Sequence, residues 1–67
     1  MKYIVIEMQT NADGTVGNIV TAHDTRNEAE SKYHAVLSAA AVSDLPCHTA
    51  VLVASDGEDW QAQHYEH

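Results

Sequence analysis

Ala50-Val51-Leu52-Val53-Ala54 is apolar at every position, and so is Tyr3-Ile4-Val5-Ile6 near the other end of the chain. Successive side chains of a strand point to opposite faces, so an extended segment without alternation presents apolar groups on both. Two such strands need cover on two sides, and the rest of the sequence offers one helix. One helix covers one face. The leftover face predicts a second copy of the same chain as its cover, with Tyr3, Val5, Val51 and Val53 at the seam.

Outward from these two segments, residues 2–10 set Ile4, Ile6 and Met8 against Tyr3, Val5, Glu7 and Gln9, a period-2 pattern that predicts strand one. Asn11-Ala12-Asp13-Gly14 reads as a tight hairpin turn, with Asn11 bonding the turn backbone and Gly14 free to take positive φ. Residues 15–23 carry Val16, Ile19, Val20 and Thr21 and form a less apolar second strand, placed at an edge. Thr25-Arg26-Asn27-Glu28 matches a capping box, so a helix starts at Arg26. Its stripe is Ala29, Tyr33, Val36, Leu37 and Ala40, with Glu28 and Lys32 spaced for a surface pair, and it runs to about Val42 before Pro46. Residues 49–54 form an interior strand. Asp56-Gly57 turns the chain into a polar fourth strand over 60–66.

The element order is therefore β-β-α-β-β, an α+β domain spanning residues 1–67. Placing the doubly apolar strands one and three side by side gives one four-stranded antiparallel sheet of order 2-1-3-4 with the helix on one face. The order 1-2-3-4 would strand the first segment at an edge and is the weaker solution.

A domain of 67 residues buries only about 60% of the surface its unfolded chain exposes. Small domains of this size add disulfides, metals or oligomerisation to a thin core. Cys47 is the only cysteine, so no internal disulfide forms, and an unpaired thiol fits a reducing, cytoplasmic setting. The apolar run after Lys2 is too short for a signal peptide or a membrane span. A formal charge of −7 repels nucleic acid and anionic membranes. The acids are scattered, with a cluster only at Asp56, Glu58 and Asp59, so they read as solubilising rather than as mimicry of nucleic acid.

Five histidines and a cysteine raise the question of zinc, but Cys47 and His48 are adjacent and point apart on a strand. Neither a C-x-x-C nor an H-x-x-x-H pair is present, and no metal or other cofactor is expected. His23, His34 and His48 read as surface or strand-end residues, and His64 and His67 as a polar tail. Cys47 follows the helix C-terminus, whose dipole disfavours a thiolate, and packs as a small residue. The paired carboxylates Glu28 with Glu30 and Asp56 with Asp59 are explained by capping and turn formation, and no phosphate loop or nucleophile elbow occurs. Tyr3, Trp60 and Tyr65 are the candidates for a small aromatic ligand site at a dimer interface, with packing the simpler account. No catalytic residue is assigned.

Two segments carry a resemblance: Gln9-Thr10-Asn11-Ala12-Asp13-Gly14-Thr15-Val16-Gly17-Asn18 and Asn27-Glu28-Ala29-Glu30-Ser31-Lys32-Tyr33-His34-Ala35-Val36-Leu37. They resemble a group of short bacterial proteins encoded near phage and mobile-element genes. The likeness covers the hairpin and the helix and stops before Cys47. It implies a small cytosolic accessory protein and transfers no activity to any residue. The expected function is a non-catalytic homodimeric module, the alternative an acidic interaction or inhibitor protein that engages a basic host partner.

Overall fold

Asp13 and Gly14 reverse the chain between β1 (Tyr3–Thr10) and β2 (Val16–His23). Gly14 adopts φ +87°, the Asn11 amide donates to the Thr15 carbonyl at 2.8 Å, and the Asp13 carboxylate accepts from the Thr15 amide at 3.0 Å and its hydroxyl at 2.7 Å. Asp13 thus fills the backbone-bonding role expected of Asn11, whose amide instead donates to the Thr15 hydroxyl. The computed structural model describes residues 2–67, Asp59 in its backbone alone.

The helix α1 (Arg26–Ala41) starts where the capping motif places it, with the Thr25 hydroxyl accepting from the Glu28 amide at 3.2 Å. Ala29, Tyr33, Val36 and Ala40 are buried and Leu37 packs beside them, which is the expected stripe. The ion pair on its exposed side is Arg26 with Glu30 at 3.2 Å rather than Glu28 with Lys32. Lys32 is half-buried and directs its charge at Glu7 on the sheet.

Strands β3 (Cys47–Ala54) and β4 (Asp59–Glu66) complete one antiparallel sheet of order β2-β1-β3-β4. This is the expected α+β arrangement. β3 begins at Cys47, two residues before the expected 49, because its ladder with β1 continues to Thr10 opposite Cys47 and the His67 amide donates to the Pro46 carbonyl at 3.1 Å. Register decides which residues meet. Val5 lies opposite Leu52, Ile6 opposite Val51 and Ile4 opposite Val53, so odd positions of β1 share a face with even positions of β3. That face lies under α1, where Val5, Ala50, Leu52 and Ala54 are buried.

A bulge in the β3–β4 ladder leaves Trp60 unpaired between Gln61, opposite Leu52, and Asp59, opposite Val53. The extra residue lets Trp60 and Gln61 both turn toward the helix. Trp60 packs against Tyr3 with centroids 4.9 Å apart and the rings tilted by 45°, the Arg26 guanidinium lies 4.4 Å over the Trp60 ring, and Gln61 donates to Glu30 at 3.3 Å. No helix among the described residues is long and apolar enough to cross a membrane.

Candidate functional site

Two regions hold groups whose placement calls for explanation: a polar pair beneath the helix and the sheet face that the helix leaves bare. The polar pair comes from strand alternation. His48 shares the helix-side row of β3 with Ala50, Leu52 and Ala54, and Glu7 shares the helix-side row of β1 with Tyr3 and Val5. His48 is buried, and its Nε2 donates to the Glu7 carboxylate at 2.6 Å, with Gln9 donating to the same oxygen at 3.0 Å. His48 therefore belongs to the core, against the expectation of a surface or strand-end residue, because the early start of β3 carries it inward. Its Nδ1 is buried and meets no hydrogen-bond partner among the described residues.

Burial would push the Glu7 carboxyl up, but the hydrogen bonds from His48 and Gln9 and the charges of His48 and Lys32 outweigh it and hold the group below its ordinary range. Tyr33, nearby on the helix, is pushed up by burial and by the Tyr65 hydroxyl. The pair sets one polar contact among the apolar side chains beneath the helix.

The bare face is built from the opposite rows: Ile4, Ile6 and Met8 of β1, Val51 and Val53 of β3, and Val16 and Val20 of β2. The central strands leave Ile4, Ile6, Met8, Val51 and Val53 half-buried, while Val16 and Val20 are 59% and 58% exposed at the margin. The total accessible surface, 4085 Å², is close to the roughly 4,200 Å² expected for this mass, so the anomaly lies in how apolar atoms are distributed over it.

The four residues expected at a dimer seam divide between the two faces. Val51 and Val53 lie on the bare face, whereas Val5 is 1% exposed under α1 and Tyr3 packs on the core beside Trp60. Residues 3–6 and 50–54 are apolar at every position, so neither run shows which of its rows shares a face with which row of the other, and the expected set joined residues that the ladder separates. Ile4, Ile6 and Met8 take the places assigned to Tyr3 and Val5.

Of the aromatic trio, Tyr3 and Trp60 meet, while Tyr65 lies opposite His48 and stacks on His67 at 6.4 Å. Cys47 is half-buried on the bare face with its thiol 3.7 Å from the Thr49 hydroxyl. Among the described residues no three His, Cys, Asp or Glu side chains converge as metal ligands. In comparison with known proteins, the chain matches no family model, no curated protein and no solved structure.

Proposed function

We propose that this protein is a non-catalytic, self-associating module whose bare sheet faces pack against each other in a homodimer. The observation that supports the reading is the make-up of that face. Of the nine acidic residues whose side chains the structure describes, Glu66, opposite Cys47 at the sheet margin, is the one that the ladder sets on this face; Glu7 lies under the helix, and Asp13, Asp24, Glu28, Glu30, Asp44, Asp56 and Glu58 sit on turns, loops and the helix, while the backbone of the tenth, Asp59, pairs with Val53 at the start of β4. A chain of charge −7 brings two copies together most readily where acids are sparse, and among the described side chains none of the acids lies at the centre of this face, around Ile6 and Val51. The same distribution argues against a basic partner docking here.

Size points the same way. Four strands about 4.8 Å apart and about 3.3 Å of rise per residue over eight residues give a face of roughly 500 Å². Two such faces bury about 1,000 Å² before side-chain relief is counted, the lower limit for a specific interface. Covering the half-buried Ile4, Ile6, Met8, Val51 and Val53 contributes about 1 kcal/mol each, half the value for full burial of such side chains. That sum rivals the core of a small domain. Aligned sheet packing with the faces about 10 Å apart accommodates these rows. The unpaired Cys47 thiol supports a cytosolic setting, in keeping with the accessory-protein resemblance of the hairpin and helix.

Light scattering of the eluting protein at tens of micromolar tests the reading. The expected mass is two copies or a multiple of two, and Ile6→Lys or Val51→Lys, each at the centre of the face, lowers it while the circular dichroism spectrum is retained. A single-copy mass for the unaltered chain overturns it.

A further inference from the structure

The two edges of the sheet are built differently. β4 is guarded by a bulge at Trp60, by polar residues at Gln61, Gln63 and His64, and by Glu66 at its end. β2 runs Val-Gly-Asn-Ile-Val-Thr-Ala-His over eight residues without an Asp, Glu, Lys or Arg, a proline or a bulge. Strand edges in monomeric proteins carry such guards because their free amides and carbonyls otherwise pair with another chain. β2 is also apolar on both sides: Val16 and Val20 on the bare face, and Ile19, 53% exposed, on the helix side beyond the reach of α1.

We infer that β2 is an interaction edge whose partner is β2 of a second copy, paired antiparallel about a two-fold axis at Ile19. The hydrogen-bond phase of the sheet fixes which groups are available. Asn11 bonds Thr15 and Ser55 bonds Lys2, and antiparallel ladders alternate, so Gly17, Ile19, Thr21 and His23 turn their backbone groups toward β1. The backbone groups of Val16, Asn18, Val20 and Ala22 then point outward. An axis through Ile19 sets Val16 of one copy opposite Ala22 of the other and Asn18 opposite Val20, so every outward group meets a counterpart in the hydrogen-bonded phase. The same axis brings the two Ile19 side chains together on the helix side and covers the apolar group that α1 leaves bare. No acidic residue of either copy lies on the paired strands, which removes the carboxylate repulsion that −7 imposes elsewhere.

This axis is perpendicular to the sheet, whereas face-to-face packing uses an axis in its plane, so both contacts close together into a tetramer with dihedral symmetry. The edge contact does not depend on the face contact. Ile19→Lys separates them, since position 19 lies outside the bare face and outside the core, and it sets two ammonium groups on the axis. The expected light-scattering mass at tens of micromolar is four copies for the unaltered chain, halved by Ile19→Lys. A two-copy mass that Ile19→Lys reduces to one supports the edge and overturns the face reading. A mass that Ile19→Lys leaves unchanged overturns the edge.

Amide hydrogen exchange on the unaltered chain gives a second readout that needs no variant. Asn18 and Val20 amides exchange more slowly than the outward amides of β4, Ala62 and His64, if β2 is paired. Equal, fast exchange at all four sites refutes the pairing.

Discussion

The even and odd positions of β3 differ as if they belonged to separate proteins. His48, Ala50, Leu52 and Ala54 face α1 and are all buried, and the small alanines let the helix approach closely enough for Tyr33, Val36 and Ala29 to interlock with Leu52 and Val5. Thr49, Val51 and Val53 face the other way, are half-buried only by their neighbours in the sheet, and are β-branched, which suits a pleated surface. One row is covered by the helix, and the other is the row that the proposed homodimer would cover. Apolar content alone therefore says little about where a strand's stability comes from, and the size pattern along each row says more.

The largest expected effect breaks this contrast directly. Leu52→Ala removes a side chain with no exposure from the centre of the helix-covered row and costs about 2–5 kcal/mol, enough to unfold much of a domain this small. Val51→Ala, one residue away and half-buried, costs about 1 kcal/mol within the subunit, with its remaining loss appearing only in association. Urea unfolding at several protein concentrations separates them: the Leu52→Ala loss persists at every dilution, and the Val51→Ala loss shrinks as the assembly dissociates. Equal, concentration-independent losses would show both rows to be finished within one chain.

Most of the architecture was legible because its signals are local. The Thr25 cap, the Asp13-Gly14 turn and the spacing of Ala29, Tyr33, Val36 and Ala40 each fix an element from within a few residues, and two doubly apolar strands belong at the centre of a sheet. Register was not legible. It is set by contacts between residues far apart in sequence, such as the Ser55 amide with the Lys2 carbonyl and Cys47 opposite Thr10, and the alternation at Glu7, Met8 and Gln9 of β1 has no counterpart in the continuous apolar run 50–54 of β3. The Tyr3 and Val5 misplacement follows from that alone. The His48–Glu7 pair did leave a trace, since His48 has the parity of Leu52, and Glu7 that of Val5. Seeing it required β3 to start at Cys47, before the most apolar stretch begins.

The polar pair sharpens the same comparison at intermediate size. His48→Leu leaves Glu7, with a side chain 14% exposed, without its main partner and costs about 1–3 kcal/mol. Adding Glu7→Leu removes the stranded carboxylate and recovers most of that loss, as expected when both partners of a buried polar contact are replaced by apolar groups. Thermal unfolding of the two single variants and the double variant measures the coupling. Simple additivity of the two losses would mean that the 2.6 Å contact contributes nothing specific.

The smallest effect is the acid dependence of the helix-covered side. Burial acts to raise the Glu7 carboxyl, yet the hydrogen bonds from His48 and Gln9 and the charges of His48 and Lys32 hold it below its ordinary value of 4.5. A carboxyl that binds its proton less readily in the folded chain than in the unfolded one contributes stability that is complete above the unfolded value. That contribution drains away as pH falls through the lower folded value, where native Glu7 also becomes protonated. Glu7→Gln has no such group to titrate. The difference in unfolding free energy between the unaltered chain and Glu7→Gln should therefore close as pH falls through the region below about 4.5, with the unaltered chain losing the ground. A difference that widened with acid would reverse the sign and place the Glu7 carboxyl above its ordinary value. Because no carboxylate among the described side chains lies near the centre of the bare face, acid should erode the helix side first and leave the proposed association surface the less affected of the two.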